Sequence, residues 1–194
     1  MKIQQLLPVV LLLCLSAVAQ DVPAALRPPK GSNIALVVFE DLQCPQCRRT
    51  APLVAQAGQT YKIPVIRHDF PLPMHNWSYQ AAILARFFDT TSKTVGNAFR
   101  DYIFEHQLEI LPDNLHSFAE KFAADHKIEL PFVVDPSGKL AALVNADRDM
   151  GKTIGIVHTP TIYVVSDKKS AKPFVEVTDP NNQLYALIDS VKKQ

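Results

Sequence analysis

The residues best suited to chemistry stand in one short run, VVFEDLQCPQCRRTAP at positions 37–52, where Cys44 and Cys47 are separated by two residues. Three kinds of chemistry use that spacing: metal binding, a structural disulfide and redox exchange. A C-x-x-C pair is half of many structural zinc sites, but such a site needs four ligands. The histidines available to complete it, His68 and His75, have six residues between them, wider than the usual spacing, and fall on a strand and the loop after it. Thiolates alone would suit a Cu(I) carrier. A purely structural disulfide would close a loop of only about four residues and so remove little disorder from the unfolded chain. Redox exchange draws on the position of the pair as well as on its spacing.

That position is set by the elements around it. NIALVVFE, from Asn33, is a continuous apolar run of strand length, as expected for a central strand buried on both faces. Asp41 to Gln43 form a short connection. From Cys44 to about Gly58 the pattern is helical, with Pro45 in the first turn, where its missing N–H costs nothing, and Gly58 at the C-terminus. Pro52 falls inside this helix and is expected to bend it. IPVIRHDF, from Ile63, reads as a second strand. The cysteines therefore begin the helix of a βαβ unit. Unpaired N–H groups and the helix dipole favour negative charge there, so Cys44 is expected to ionise below the ordinary thiol value of about 8.5. Cys47, one turn later, should be more enclosed and able to resolve a mixed disulfide formed at Cys44. Gln46 can offer an amide hydrogen bond toward Cys44 but carries no charge.

Beyond the second strand, Trp77, Ala81, Leu84 and Phe88 recur at helical spacing, as do Leu115, Phe118 and Phe122. Leu140, Leu143, Val144 and Met150 indicate a further helix, making residues 76–151 a mainly helical section with turns near Pro112 and Pro136. Short strands return with TIYVV from Thr161 and FVEV from Phe174, followed by a helix over about 182–191.

Composition narrows the function classes. Twenty basic and nineteen acidic residues give a net charge of +1, with no basic stripe interleaved with aromatics, so no nucleic-acid partner is expected. The first twenty residues combine Lys2, an apolar stretch from Leu6 to about Leu15, and the small-x-small tripeptide Ala17-Val18-Ala19. This is the pattern of a signal peptide over 1–19, the apolar run being shorter than a spanning helix needs. Cleavage would remove Cys14 and leave Cys44 and Cys47 in a periplasmic or secreted protein, where disulfides persist. Residues 20–32, rich in proline, read as a lead-in arm, and 33–194 as one domain.

The run VVFEDLQCPQCRRTAP resembles the active-site segment of thioredoxin-fold proteins, specifically the DsbA-like thiol:disulfide oxidoreductases of bacterial envelopes. The inserted helical stretch, the phrase HDFPLPMHNWSYQAAILA and the phrase IVHTPTIYVV fit the same family, and the likeness runs from about Arg27 to the C-terminus. It implies an α/β, thioredoxin-like fold with an inserted helical subdomain. Position by position, it makes Cys44 the exposed nucleophile, Cys47 the resolving cysteine, Pro160 a cis-proline facing the disulfide, and Thr159 the residue whose backbone pairs with a substrate chain. Pro52 matches the helix-bending proline of the fold. Sequence alone would favour a trans Thr159–Pro160 bond; the resemblance reverses that expectation.

One position departs from the family. Many relatives carry a buried carboxylate six residues before the first cysteine, where this chain has Val38. Strand alternation puts Glu40 on the same face as Val38 and Asp41 on the opposite one, so Glu40 is the better substitute. The alternative is that both are solvated charges at a loop edge. His158 lies two residues before Pro160, close enough in sequence to influence Cys44 or simply to be a surface histidine. Pro45, Gln46, Thr159, Glu40 and His158 thus form the group expected to modulate the cysteine pair. ADRDMGKT resembles a phosphate loop but begins with Ala146 where the motif requires glycine, and no strand precedes it.

The resemblance implies a monomeric dithiol oxidase without a cofactor. Its substrates would be exported cysteine-containing proteins, and a membrane partner of the DsbB or vitamin K epoxide reductase-like type would reoxidise it. The rivals are a reductase or isomerase using the same pair, and a non-catalytic metal- or peptide-binding module.

Overall fold

The computed structural model describes residues 22–168 and 172–193. The expected signal peptide and Cys14 lie outside them. Strand β1 (Ile34–Glu40) is buried at every position, as its unbroken apolar run requires. It pairs in parallel with β2 (Val65–Asp69) and antiparallel with β3 (Thr161–Ser166), and β3 pairs antiparallel with β4 (Phe174–Glu176), giving the order β2-β1-β3-β4.

Alternation along β1 supplies two faces. Ile34, Leu36 and Val38 pack with Val54 and Ala57 of α1 (Pro45–Tyr61) and with Leu184, Ile188 and Val191 of α6 (Pro180–Lys193). Ala35, Val37 and Phe39 point the other way, toward Phe70, Ile156 and Leu26. Burial of Leu26 at 2 % exposure means that the lead-in arm contributes to the core, which its proline-rich composition conceals.

Helix α1 runs beyond the expected stop at Gly58. Gly58 is needed instead for close packing: a Cβ there would stand 2.6 Å from Val65 Cγ2. The helix ends at Lys62, which takes the left-handed conformation at φ 53° and closes the end with its N–H on Gln59 O.

Between β2 and β3 stand four helices: α2 (Ser78–Thr91), α3 (Lys93–Glu105), α4 (Leu115–Asp125) and α5 (Lys139–Thr153). Their core is aromatic, with the Phe88 ring 4.5 Å from Phe99 and 4.9 Å from Phe122. The helical spacings read in α2 and α4 correspond to buried faces. In α5 only Val144 and Gly151 are buried, and Leu143 faces solvent. Gly151 of the phosphate-loop look-alike sits inside α5, where a Cβ would meet the Phe70 ring at 2.6 Å.

Buried charges join this insertion to β2. Arg100 on α3 donates to both carboxylate oxygens of Asp69 and also to Asp89, while Arg86 on α2 pairs with Asp69 and Asp147. Burial alone would raise the Asp69 carboxyl, but the Arg100 and Arg86 guanidiniums outweigh it and hold the group below the usual carboxylate range. Each member is compensated, and removing one would strand the rest.

Candidate active site

Cys44 is the N-cap of α1, with extended backbone (φ −73°, ψ 119°) and no side-chain cap bond. The first-turn N–H groups that an ordinary capping residue would satisfy are therefore open to the sulfur. As a thiol, Cys44 Sγ donates to the Thr159 carbonyl at 3.3 Å. As a thiolate it accepts from the Cys47 thiol and, against the opposing cost of burial, from Thr159 and the backbone N–H groups of Cys47 and Gln46. Its pKa falls well below the ordinary thiol range, to about 5. The Thr159 hydroxyl is buried without a hydrogen-bond partner, so it is available as a donor to that sulfur.

Cys47 behaves in the opposite way. It is 2 % exposed against 7 % for Cys44. Burial pushes its thiol far up, and its bond to Cys44 and the charges of Cys44 and Glu40 push in the same direction, with the Asp41 N–H at 3.5 Å opposing. Both cysteines are free thiols here. The resemblance led to an exposed nucleophile. In the structure Cys44 is itself largely covered, by the Thr159 segment on one side and the insertion core, in which both cysteines are packed, on the other.

The Thr159–Pro160 bond is cis. Pro160 lines a cavity of about 140 Å³ behind the cysteines, together with Cys47, Val38, Glu40, Arg67 and Asp101. Glu40 and Asp41 are both buried, which rules out the reading of two solvated charges, and they do different things. Glu40 enters the cavity and accepts from Arg67 Nε at 2.6 Å, while Arg67 Nη1 reaches Asp101. Burial raises the Glu40 carboxyl, with Arg67 opposing. Asp41 turns away to accept the Gln43 and Leu72 N–H groups and His75 Nδ1.

Other residues of the expected group lie at the margin. Pro45 opens α1 and is exposed. The Gln46 side chain accepts from Arg49 and offers only its backbone N–H to Cys44. His158 is exposed, with its ring 3.3 Å from the Thr161 hydroxyl rather than against a sulfur. His68 and His75, weighed for zinc, pair with Asp147 and Asp41. Among the described residues no group of three or more His, Cys, Asp or Glu side chains is arranged to hold a metal.

Sequence reading missed Gln107 and Gln43. Gln107 donates to the carbonyls of Leu42 and Cys44, and Gln43 bonds Asn76 and the Trp77 N–H. Neutral glutamines far apart in sequence give no periodic or motif signal.

A parallel βαβ unit, two antiparallel strands and paired cysteines opposite a cis-proline define the thioredoxin class, and the chain belongs to the thioredoxin family, whose model matches residues 30–178. Its fold is shared by solved structures of low identity. Pseudomonas aeruginosa DsbA2 is 17 % identical with a TM-score of 0.63, over 84 % of this chain and 91 % of that one. The thiol-disulfide exchange protein alpha-DsbA2 from Wolbachia pipientis is 20 % identical with a TM-score of 0.66, over 86 % and 84 %. A periplasmic thioredoxin-like protein from Salmonella enterica serovar Typhimurium is 17 % identical with a TM-score of 0.62, over 84 % of each chain. No curated protein sequence matches.

Proposed function

We propose that the protein is a thiol:disulfide oxidoreductase that acts on exported cysteine-containing proteins through Cys44 and Cys47, as a DsbA-like dithiol oxidase. The observation that carries this reading is the unequal placement of the two sulfurs: Cys44 caps the N-terminus of α1, which favours its thiolate above about pH 5, and Cys47 is buried one turn later, which keeps it a thiol. A stabilised thiolate favours the reduced enzyme and so makes the disulfide a better oxidant.

In the oxidase direction a substrate thiolate attacks Cys44 Sγ of the Cys44–Cys47 disulfide. The S–S bond breaks, and Cys47 departs with its electron pair and takes a proton. A second substrate thiolate then attacks the substrate sulfur of the mixed disulfide and releases Cys44 as a thiolate. The substrate gains a disulfide, the enzyme gains two electrons, and a membrane reoxidant of the DsbB or vitamin K epoxide reductase-like type removes them. Pro160 and the Thr159 backbone would align the substrate strand. Glu40, in the cavity beside Cys47, would exchange the proton of that sulfur, the role that Val38 cannot fill. Pro45 and Gln46 would set the thiolate's surroundings, with His158 at the rim. The signal-peptide pattern at 1–19 supports a periplasmic or secreted location, residues 20–32 would be a lead-in arm packed through Leu26 against the domain of 33–194, and the protein is expected to work as a monomer.

Equilibration of the Cys44–Cys47 pair against glutathione buffers, with metal content measured on the same sample, tests the reading. An oxidase should lie well above the thioredoxin value of about −270 mV, toward the DsbA value of about −120 mV. A value at or below the thioredoxin end would make the protein a reductase. Stoichiometric metal, or peptide affinity unchanged in Cys44→Ser, would make it a binding module.

A further inference from the structure

Gln107 follows α3 in the segment leading to α4 and is 6 % exposed. Its Nε2 donates to the Leu42 carbonyl at 2.8 Å and to the Cys44 carbonyl at 3.1 Å. Those carbonyls bracket Gln43 in the connection from β1 to α1. The Cys44 carbonyl also accepts the first helical bond, from Arg48 N–H at 3.2 Å. One amide group with two donors at fixed spacing thus spans the residues where the strand becomes the helix. Leu42 is 2 % exposed, so its carbonyl would be costly to leave unpaired.

We propose that Gln107 is a positioning residue through which the helical insertion holds the Cys44 backbone in register with the helix N-terminus. The clamp touches neither sulfur. It works because the N–H groups of Gln46 and Cys47 reach Cys44 Sγ only while Cys44 keeps its extended N-cap conformation. The amide also aims the positive ends of its N–H dipoles at the cysteine turn, which favours negative charge there. Loss of the clamp therefore weakens the thiolate without removing any group that contacts it. This inference rests on the proposed exchange chemistry of the Cys44–Cys47 pair.

The test uses the full-length protein with Gln107→Met, which keeps side-chain length and removes both donors, and Gln107→Glu, which adds an acceptor. Thiolate absorbance followed against pH should show Cys44 titrating higher in both, and further in Gln107→Glu. The glutathione equilibrium should move toward the disulfide in Gln107→Met, by about fivefold where the thiolate loses support equivalent to one hydrogen bond of ~1 kcal/mol. Folded variants with an unchanged titration and equilibrium would overturn the proposal. Should either variant fail to fold, the wild-type side chain still decides: its amide resonance should shift as Cys44 titrates, and indifference to that titration would overturn it. A wild-type pair that does not exchange with glutathione would sink the proposed function, while the titration and the amide resonance would still judge Gln107.

Discussion

The two ends of α1 lie in different surroundings. Its second half, through Val54 and Ala57, packs in an aliphatic core with β1, β3 and α6. Its first turn, with Cys44 and Cys47, packs in the aromatic core of the insertion beside Trp77, Ile103 and Ile110. Pro52 lies between the two halves. The sheet core gives the helix its place, and the insertion core gives the cysteines their chemistry: it buries Cys47, brings Gln107 to the turn, and leaves the N–H groups of the first turn to Cys44. One helix can thus be a scaffold at one end and carry the candidate site at the other because its ends pack in different cores.

Four experiments would break or sharpen this contrast. The largest effect belongs to the sulfurs: Cys44→Ser should abolish dithiol oxidation, and Cys47→Ser should accumulate a mixed disulfide with substrate, visible on a non-reducing gel. If Cys47→Ser turns over normally, Cys47 does not resolve. Next comes a matched pair of core truncations. Phe88→Ala should cost ~3–5 kcal/mol and Leu184→Ala ~2–5 kcal/mol in denaturant unfolding, but only Phe88→Ala should alter the reactivity of Cys44. Equal reactivity in both would mean that the insertion core has no special hold on the site.

The third experiment is pH dependence. The folded-state pKa of Cys44 is depressed, so its thiolate stabilises the reduced protein fully above pH 9.0 and the benefit is lost as pH falls toward about 5. The stability of the reduced form relative to the disulfide form should therefore decline over that window, measured by paired unfolding curves. A flat difference would contradict the assignment. The smallest effect is expected from Thr159→Val, which removes one hydroxyl donor of nearly equal shape and should raise the Cys44 titration modestly, by the order of a single neutral hydrogen bond, about 1 kcal/mol.

Legibility in the sequence followed the same divide. Strand β1 and the start of α1 could be read because burial on both faces leaves an unbroken apolar run and because proline at N1 marks a helix start. Glu40 was placed correctly on the Val38 face by alternation alone. The end of α1 was misread because glycine signals both a helix stop and a close approach, and Gly58 serves the second purpose against Val65. The stripe of Leu140, Leu143, Val144 and Met150 marked α5 correctly, but Leu143 faces solvent, because a helical stripe does not say how much of it a neighbour covers. Gln107 and the Asp69, Arg100 and Arg86 network join residues up to 65 positions apart, and no local pattern announces which buried polar groups will meet. Cys44 and Cys47 were legible as a pair, but the depth of the second depends on an insertion whose packing only the folded chain displays.

The most direct test of the central claim is the alkylation of each cysteine by iodoacetamide as a function of pH, resolved by mass spectrometry of the reduced protein. Cys44 should react with a midpoint near pH 5, and Cys47 should stay slow throughout the range in which the protein is folded. Equal reactivity of the two, rising together near the ordinary thiol value, would contradict the account.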